Sequence, residues 1–181
     1  AGEASKTREN WADLSDRMLA AQFGRDSAVL ALGGGVVGDL AGFVAAAYMR
    51  GLPLVQLPTS LLAMIDSSVG GKTGGDTPAG KNLIGAFHQP RIVVADTDTL
   101  RTLPRSELIS GLAEAVKHGA IADSEYFDWM LESADSILAL EPAAIVHLIA
   151  RSVQIKADVV GADERESGPR KILNFGHTIG H

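Results

Sequence analysis

Cysteine is absent from the 181 residues, which excludes a disulfide framework and thiol chemistry and suits a reducing compartment such as the cytoplasm. A basic excess is absent too. Sixteen Lys and Arg stand against 22 Asp and Glu, and the net charge of −6 argues against a nucleic-acid surface. No apolar run reaches the ~18 to 20 residues of a membrane span, and the N-terminus lacks a signal-peptide pattern. Neither nucleic acid nor membrane is therefore an expected partner. No internal repeat or low-complexity segment is visible. No methionine opens the chain, and it stops on Gly180-His181 directly after a histidine-rich motif. It reads as an internal fragment of a longer protein, cut at both ends. What remains, 46% hydrophobic and 21% charged, is an ordinary globular composition, long enough for one domain and part of a second.

The organising stretch is Ala28-Val-Leu-Ala-Leu-Gly-Gly-Gly-Val-Val-Gly-Asp-Leu-Ala-Gly-Phe43. Ala28 to Leu32 reads as a short buried strand. After the glycines, Val37, Leu40, Ala41 and Val44 recur at helical spacing. A strand that meets glycines and restarts as a helix leaves free N–H groups at the helix N-terminus, where an anion is favoured. Gly33, Gly35 and Gly38 satisfy the G-x-G-x-x-G dinucleotide pattern. The acidic residue expected about 20 positions on, for a ribose, is missing from Leu52-Pro-Leu-Val-Gln-Leu-Pro58. A phosphate-bearing ligand fits this stretch better than an ordinary Rossmann first unit does. A tight packing turn would produce the same glycines.

Upstream, a polar turn at Gly2–Thr7 leads into a helix with Trp11, Leu14, Met18 and Leu19 on its apolar face, followed by Gly24. Glu3 and Lys6 look like surface charges. Downstream, a helix through Tyr48 stops at Gly51, and Leu54–Leu57 forms a second buried strand. Pro58-Thr59-Ser60 opens another helix, Leu61 to Asp66, with hydroxyls at its N-terminus. Ser67 to Gly85 reads as a long glycine-rich loop. Lys72 and Lys81 among its glycines suit anion binding, although a solvated flexible loop has the same composition. Arg91–Ala95 is a third strand. The alternation of strands and helices predicts an α/β layer with a parallel sheet. From Pro104 onward the pattern is helical, at Arg105–Ala122, Ser124–Leu138 and Pro142–Ala162. The one strand-like run there is Lys171–Asn174. The domain boundary falls near Leu103, giving an α/β domain over 1–103 and an all-α domain over 104–181.

Glu114, Lys117 and His118 share a helical face through i,i+3 and i,i+4 spacing, and the same spacing joins His177 to His181. Two imidazoles one turn apart with a carboxylate from another helix suit a divalent metal with open coordination positions.

With these residues assembled, the chain resembles the 3-dehydroquinate synthases, NAD- and zinc-dependent carbon–oxygen lyases of the shikimate pathway within the sugar-phosphate cyclase superfamily. The resemblance runs through Gly2-Glu-x-x-Lys6, Leu32–Phe43, Gln56–Thr73, Gly80–Phe87, Thr99–Pro104, Gly111-Leu-Ala-Glu-Ala-Val-Lys-His-Gly119 and Leu173-Asn-Phe-Gly-His-Thr-Ile-Gly-His181, so it covers essentially the whole chain. It implies a Rossmann-like NAD-binding domain, then an all-α metal-binding domain, with the active site in the cleft. It implies NAD contacts from Glu3, Lys6, Gly33, Gly34, Gly35, Val36, Val37, Gly38, Asp39, Thr59, Ser60, Lys72, Lys81, Thr99, Leu100 and Thr102.

Zn2+, or Co2+ in its place, would be held by Glu114, His177 and a histidine beyond position 181. By this resemblance His181 is a catalytic residue and not the ligand that its spacing suggests. Asp66 and Lys117 would act on the reacting hydroxyls, with Asn174 close by. Lys72, Asn82 and Arg50 would bind the substrate phosphate, Arg50 across a homodimer interface of the full-length protein. Lys156 and Arg170 would grip the carboxylate of a small sugar-phosphate substrate. Three other readings remain: a sister cyclase, a metal-dependent polyol dehydrogenase, and a truncated chain that only binds nucleotide.

Overall fold

The computed structural model describes residues 2–163 and 168–176. The chain divides into two compact units. One holds the described residues through Pro58 together with Gly71–Asp96, and the other holds Thr59–Gly70 and the described residues from Thr97 on. Three crossings replace the single cut after Leu103, because the turn carrying Asp66 belongs with the helices that follow it.

In the first unit, a 3-10 turn at Glu3–Ser5 precedes helix α1, Arg8–Ala20, whose first turn Thr7 caps by accepting from Asn10 N. Strands β1 (Val29–Gly33), β2 (Leu54–Pro58) and β5 (Ile92–Val93) form a parallel sheet in the order β1-β2-β5, with Val29 opposite Leu54 and Gly33 opposite Pro58. Helix α2, Gly35–Ala47, lies on one face, where Ala31, Ala45 and Leu54 form the core. Trp11 of α1 stacks on Phe43 of α2 with ring centroids 5.4 Å apart.

β1 is not buried on both sides, as its uncharged run suggested. Strand alternation turns Leu30 and Leu32 away from α2, and they are 63% and 67% exposed.

Ser67 to Gly85 is not a long loop either. β3 (Lys72–Thr77) and β4 (Gly80–Phe87) pair as an antiparallel hairpin, closed by a tight turn after Thr77. The glycines that suggest a loop instead admit a close crossing, since a Cβ at Gly85 would lie 2.1 Å from Thr73 O.

In the second unit, a π-helical turn at Ala63–Ser67 and a 3-10 turn at Thr97–Thr102 precede α3 (Arg105–Ala122), α4 (Ser124–Glu132), α5 (Ala134–Leu138) and α6 (Pro142–Ala162). The single helix read over Ser124–Leu138 is thus two, broken at Ser133. The strand-like run Lys171–Asn174 lies in a 3-10 turn, Pro169–Asn174. Asp163 sets that turn, its Oδ2 accepting from Gly168 N at 2.6 Å and Arg170 N at 3.2 Å. Met64, Ile65, Ala115 and Leu148 are fully buried in this unit. No helix among the described residues is long and apolar enough to cross a membrane.

Candidate active site

In the first unit the β1–α2 connection follows the predicted course. α2 begins at Gly35 behind an N-cap, Gly34, that offers no side-chain hydrogen bond. The helix N-terminus is therefore available to an anion. The helix is keyed to the sheet by Gln56, whose Nε2 donates to Gly38 O at 3.3 Å.

Beside this turn stands a charge cluster that sequence spacing conceals. Lys6 is 3% exposed, and its ammonium lies 3.0 Å from Glu3, 3.2 Å from Asp39 and 3.9 Å from Asp76. Burial works against that charge, but Glu3 and Asp39 outweigh it and raise the pKa above the ordinary lysine value. Lys81 reaches Glu3 at 3.8 Å. Glu3, Lys6, Asp39 and Lys81 thus form one network, in which Lys6 is not the surface charge that composition suggested, while the Glu3 side chain stays 40% exposed. Lys72 opens β3 and Asn82 lies on β4. Arg50 is exposed and left-handed, φ 70°, next to Met49 at φ 47°. Two adjacent non-glycine residues in this region are a local strain of the kind found at ligand sites.

In the second unit α3 crosses the Leu61–Leu62 turn at Gly111, where a Cβ would lie 2.8 Å from Leu62 N. That close approach brings Glu114 and His118, one turn apart, beside Asp66. One ligand atom from each of the three lies within 4.8 Å of the others. Lys117 pairs with Glu114. Lys156 on α6 donates to Asp66 Oδ1 at 2.7 Å and also to Asp66 O. Burial raises the Asp66 carboxyl, but the charge and hydrogen bond of Lys156 together with Lys117 and His118 outweigh it and hold the group below the usual carboxylate range. Burial draws Lys156 below its usual value in turn, against the pull of Asp66.

His118 is wholly buried, and neither ring nitrogen has a hydrogen-bond partner among the described residues. Burial pushes it down to about 4, in spite of Asp66 and Glu114, so the imidazole is neutral. Two carboxylates and a neutral imidazole with unmatched nitrogens are a donor set that fits a divalent cation.

Arg170 is 1% exposed and donates from Nη2 to Gly70 O at 3.2 Å. It is close enough to Lys156 to disfavour that ammonium. The unit therefore holds two buried cations near Asp66. Ser60 accepts from Ala63 N through Oγ, and Thr102 Oγ1 donates to Thr99 O. The Leu100 side chain is core, 1% exposed, which leaves its backbone for any ligand contact. Asn174 is exposed at the end of its turn. His177 and His181 lie outside the described residues.

Sequence reasoning missed Asp76, Asp163 and Gln56, whose partners are distant in sequence or hidden in a stretch read as loop. It placed His118 on the face of Glu114 but gave it no role, although the i,i+4 spacing was the signal.

Residues 1–110 match the family described as 3-dehydroquinate synthase N-terminal, and residues 111–181 the family described as 3-dehydroquinate synthase C-terminal. A relative from Symbiobacterium thermophilum, named 3-dehydroquinate synthase, is 59% identical over 181 residues, which is 100% of this chain and 51% of the relative. The chain thus spans about half the length of the curated relatives it matches. Among solved structures it is similar to 2-epi-5-epi-valiolone synthase from Streptomyces hygroscopicus with NAD+ and Zn2+ bound. That match has 34% identity and a TM-score of 0.91, and covers 98% of this chain and 50% of the other. A 2-deoxy-scyllo-inosose synthase complexed with carbaglucose-6-phosphate, NAD+ and Co2+ is 32% identical with a TM-score of 0.93, over 100% of this chain and 49% of the other.

Proposed function

The chain belongs to the 3-dehydroquinate synthase family, and from that premise we propose that the whole protein is a cytoplasmic, homodimeric 3-dehydroquinate synthase. It converts 3-deoxy-D-arabino-heptulosonate 7-phosphate to 3-dehydroquinate and phosphate, by transient oxidation, phosphate elimination, re-reduction and intramolecular aldol closure. The observation that carries this reading is the cluster of half-buried Asp66 and Glu114 with buried His118, flanked by Lys117 and Lys156. Such a set of donors and cations suits a polyhydroxylated anion held on a metal.

NAD would be bound by Glu3, Lys6, the Gly33–Asp39 turn, Lys72 and Lys81 in the first unit, and by Thr59, Ser60, Thr99, Leu100 and Thr102 in the second. Its pyrophosphate would lie at the uncapped N-terminus of α2. Glu114 and His177 would hold the zinc, with Asp66 and His118 alongside. When bound, NAD supplies a reversible hydride acceptor and zinc a Lewis acid for the hydroxyl that becomes a ketone.

The chain's own groups do the rest. Asp66 and Lys117 orient the reacting hydroxyls, and His181 handles the transferred proton. Lys72, Asn82 and Arg50 hold the leaving phosphate, and Lys156 and Arg170 hold the carboxylate, with Asn174 beside them. The sister-cyclase reading has well-superposing relatives, but identity supports dehydroquinate, at 59% against 34%.

The test is phosphate release by the purified full-length protein from the heptulosonate phosphate and from an analogue lacking the carboxylate. Preference for the carboxylate-bearing substrate supports this reading. Preference for the analogue would replace it with a sister cyclase.

A further inference from the structure

The β3–β4 hairpin is not a regular ladder. Gly75 pairs with Ile84 and Thr77 with Gly80, and the register shifts between Gly75 and Thr77. The extra residues are on β4, where Lys81, Asn82 and Leu83 stand against Asp76 alone on β3. The Asp76 N–H leaves the hairpin and donates to Lys6 O at 2.6 Å, and Asp76 forms an isolated parallel bridge with Thr7. Its carboxylate turns back across the hairpin, where Oδ1 accepts from Asn82 N at 2.9 Å. Asn82 is left-handed, φ 53°. A non-glycine residue stays in that conformation only where its surroundings hold it. The Asp76–Asn82 bond supplies that hold, in the way bulges elsewhere re-aim a side chain next to a site.

We propose that Asp76 is a positioning residue for the sugar-phosphate reaction: by accepting the Asn82 N–H it fixes the left-handed turn from which Asn82 meets the leaving phosphate. This rests on the dehydroquinate synthase reading for the identity of that phosphate, and on geometry alone for the bond. Asp76 also anchors the hairpin to the Glu3–Lys6 turn. Its backbone joins the nucleotide-side cluster while its side chain serves the phosphate side. Its charge is secondary. Lys6 has nearer partners in Glu3 and Asp39, whereas the Asn82 N–H has Asp76 as its acceptor.

Acceptor and charge separate cleanly, because an asparagine Oδ1 accepts the same N–H without a charge. In the full-length protein, Asp76→Ala is expected to raise KM for the heptulosonate phosphate about tenfold, the worth of one ordinary hydrogen bond. NAD affinity should stay near wild type. Asp76→Asn should bring KM most of the way back. A general loss of fold or of charge would not be rescued in this way.

Amide hydrogen exchange at Asn82 reads the bond without any turnover. Protection should be lost in Asp76→Ala and kept in Asp76→Asn. An unchanged KM in Asp76→Ala, or an Asp76→Asn variant as impaired as the alanine one, would overturn the proposal. So would Asn82 protection that fails to follow the acceptor. If wild type leaves the heptulosonate phosphate untouched, the dehydroquinate reading falls and the exchange measurement alone decides on Asp76.

Discussion

Lys156 and Asp66 are joined across 90 residues by a 2.7 Å hydrogen bond that ties α6 to the π-helical turn. The ammonium gives a second bond to the Asp66 carbonyl. An ammonium has three protons, so one remains for the substrate carboxylate that Lys156 and Arg170 are proposed to hold. Removing Lys156 or Arg170 should therefore weaken the carboxylate-bearing substrate at least about tenfold more than an analogue without it. Steady-state KM values for the two substrates check this. Equal losses would mean that the cations serve the fold and not the carboxylate.

The glycine turn gives a second expectation. Gly34 has an extended backbone, φ −75° and ψ −173°, which any L-residue can adopt. The proposed pyrophosphate site would account for its lack of a side chain. Gly34→Val should leave the thermal midpoint nearly unchanged and weaken NAD by about tenfold or more, as close approach to the pyrophosphate is blocked. Calorimetric titration with NAD measures it, and an undiminished affinity would remove the turn from the nucleotide site.

Metal content distinguishes the histidines. Full-length Glu114→Ala and His177→Ala should lose most of their bound zinc, because affinity falls with each ligand removed. His181→Ala should keep its zinc and lose turnover. Elemental analysis of the three purified variants is the check. Zinc lost from the His181 variant would restore the i,i+4 pair as ligands.

Tyr126 sets an alkaline limit. It is 3% exposed, donates to Leu148 O at 2.9 Å and contacts the Ser152 hydroxyl at 2.8 Å. Burial pushes its phenol up to about 12, against an ordinary 10.0. Because the folded pKa is the higher one, its contribution to stability is intact below the unfolded pKa. It is lost as the pH rises from there through the folded value. Stability of the wild type should fall across this window more steeply than that of Tyr126→Phe. Denaturant midpoints at several alkaline pH values measure the slopes, and parallel slopes would contradict the assignment.

The parts of the fold that sequence exposed are those with local causes. Arg105–Ala122 and Pro142–Ala162 were legible to the residue because Pro104 and Pro142 mark their starts and Asp123 and Asp163 follow their ends. The β1–α2 turn was legible because its glycines adjoin an apolar strand. The hairpin was hidden, since glycine carries no alternating side-chain pattern from which a strand could be read. The Lys6 network was hidden because Asp39 and Asp76 come from other elements, 33 and 70 positions along the chain. Leu30 and Leu32 misled for a similar reason. An uncharged strand looks the same whether one face or both are covered.

The proposed cyclase borrows a hydride and returns it. The most direct measurement follows the full-length protein, zinc-loaded, with heptulosonate phosphate and a sub-stoichiometric amount of NAD, recording inorganic phosphate, 3-dehydroquinate and NADH together. Many equivalents of phosphate and 3-dehydroquinate per NAD are expected, with no accumulation of NADH. Accumulation of NADH in step with substrate consumed, without phosphate release, would contradict it and make the protein a dehydrogenase.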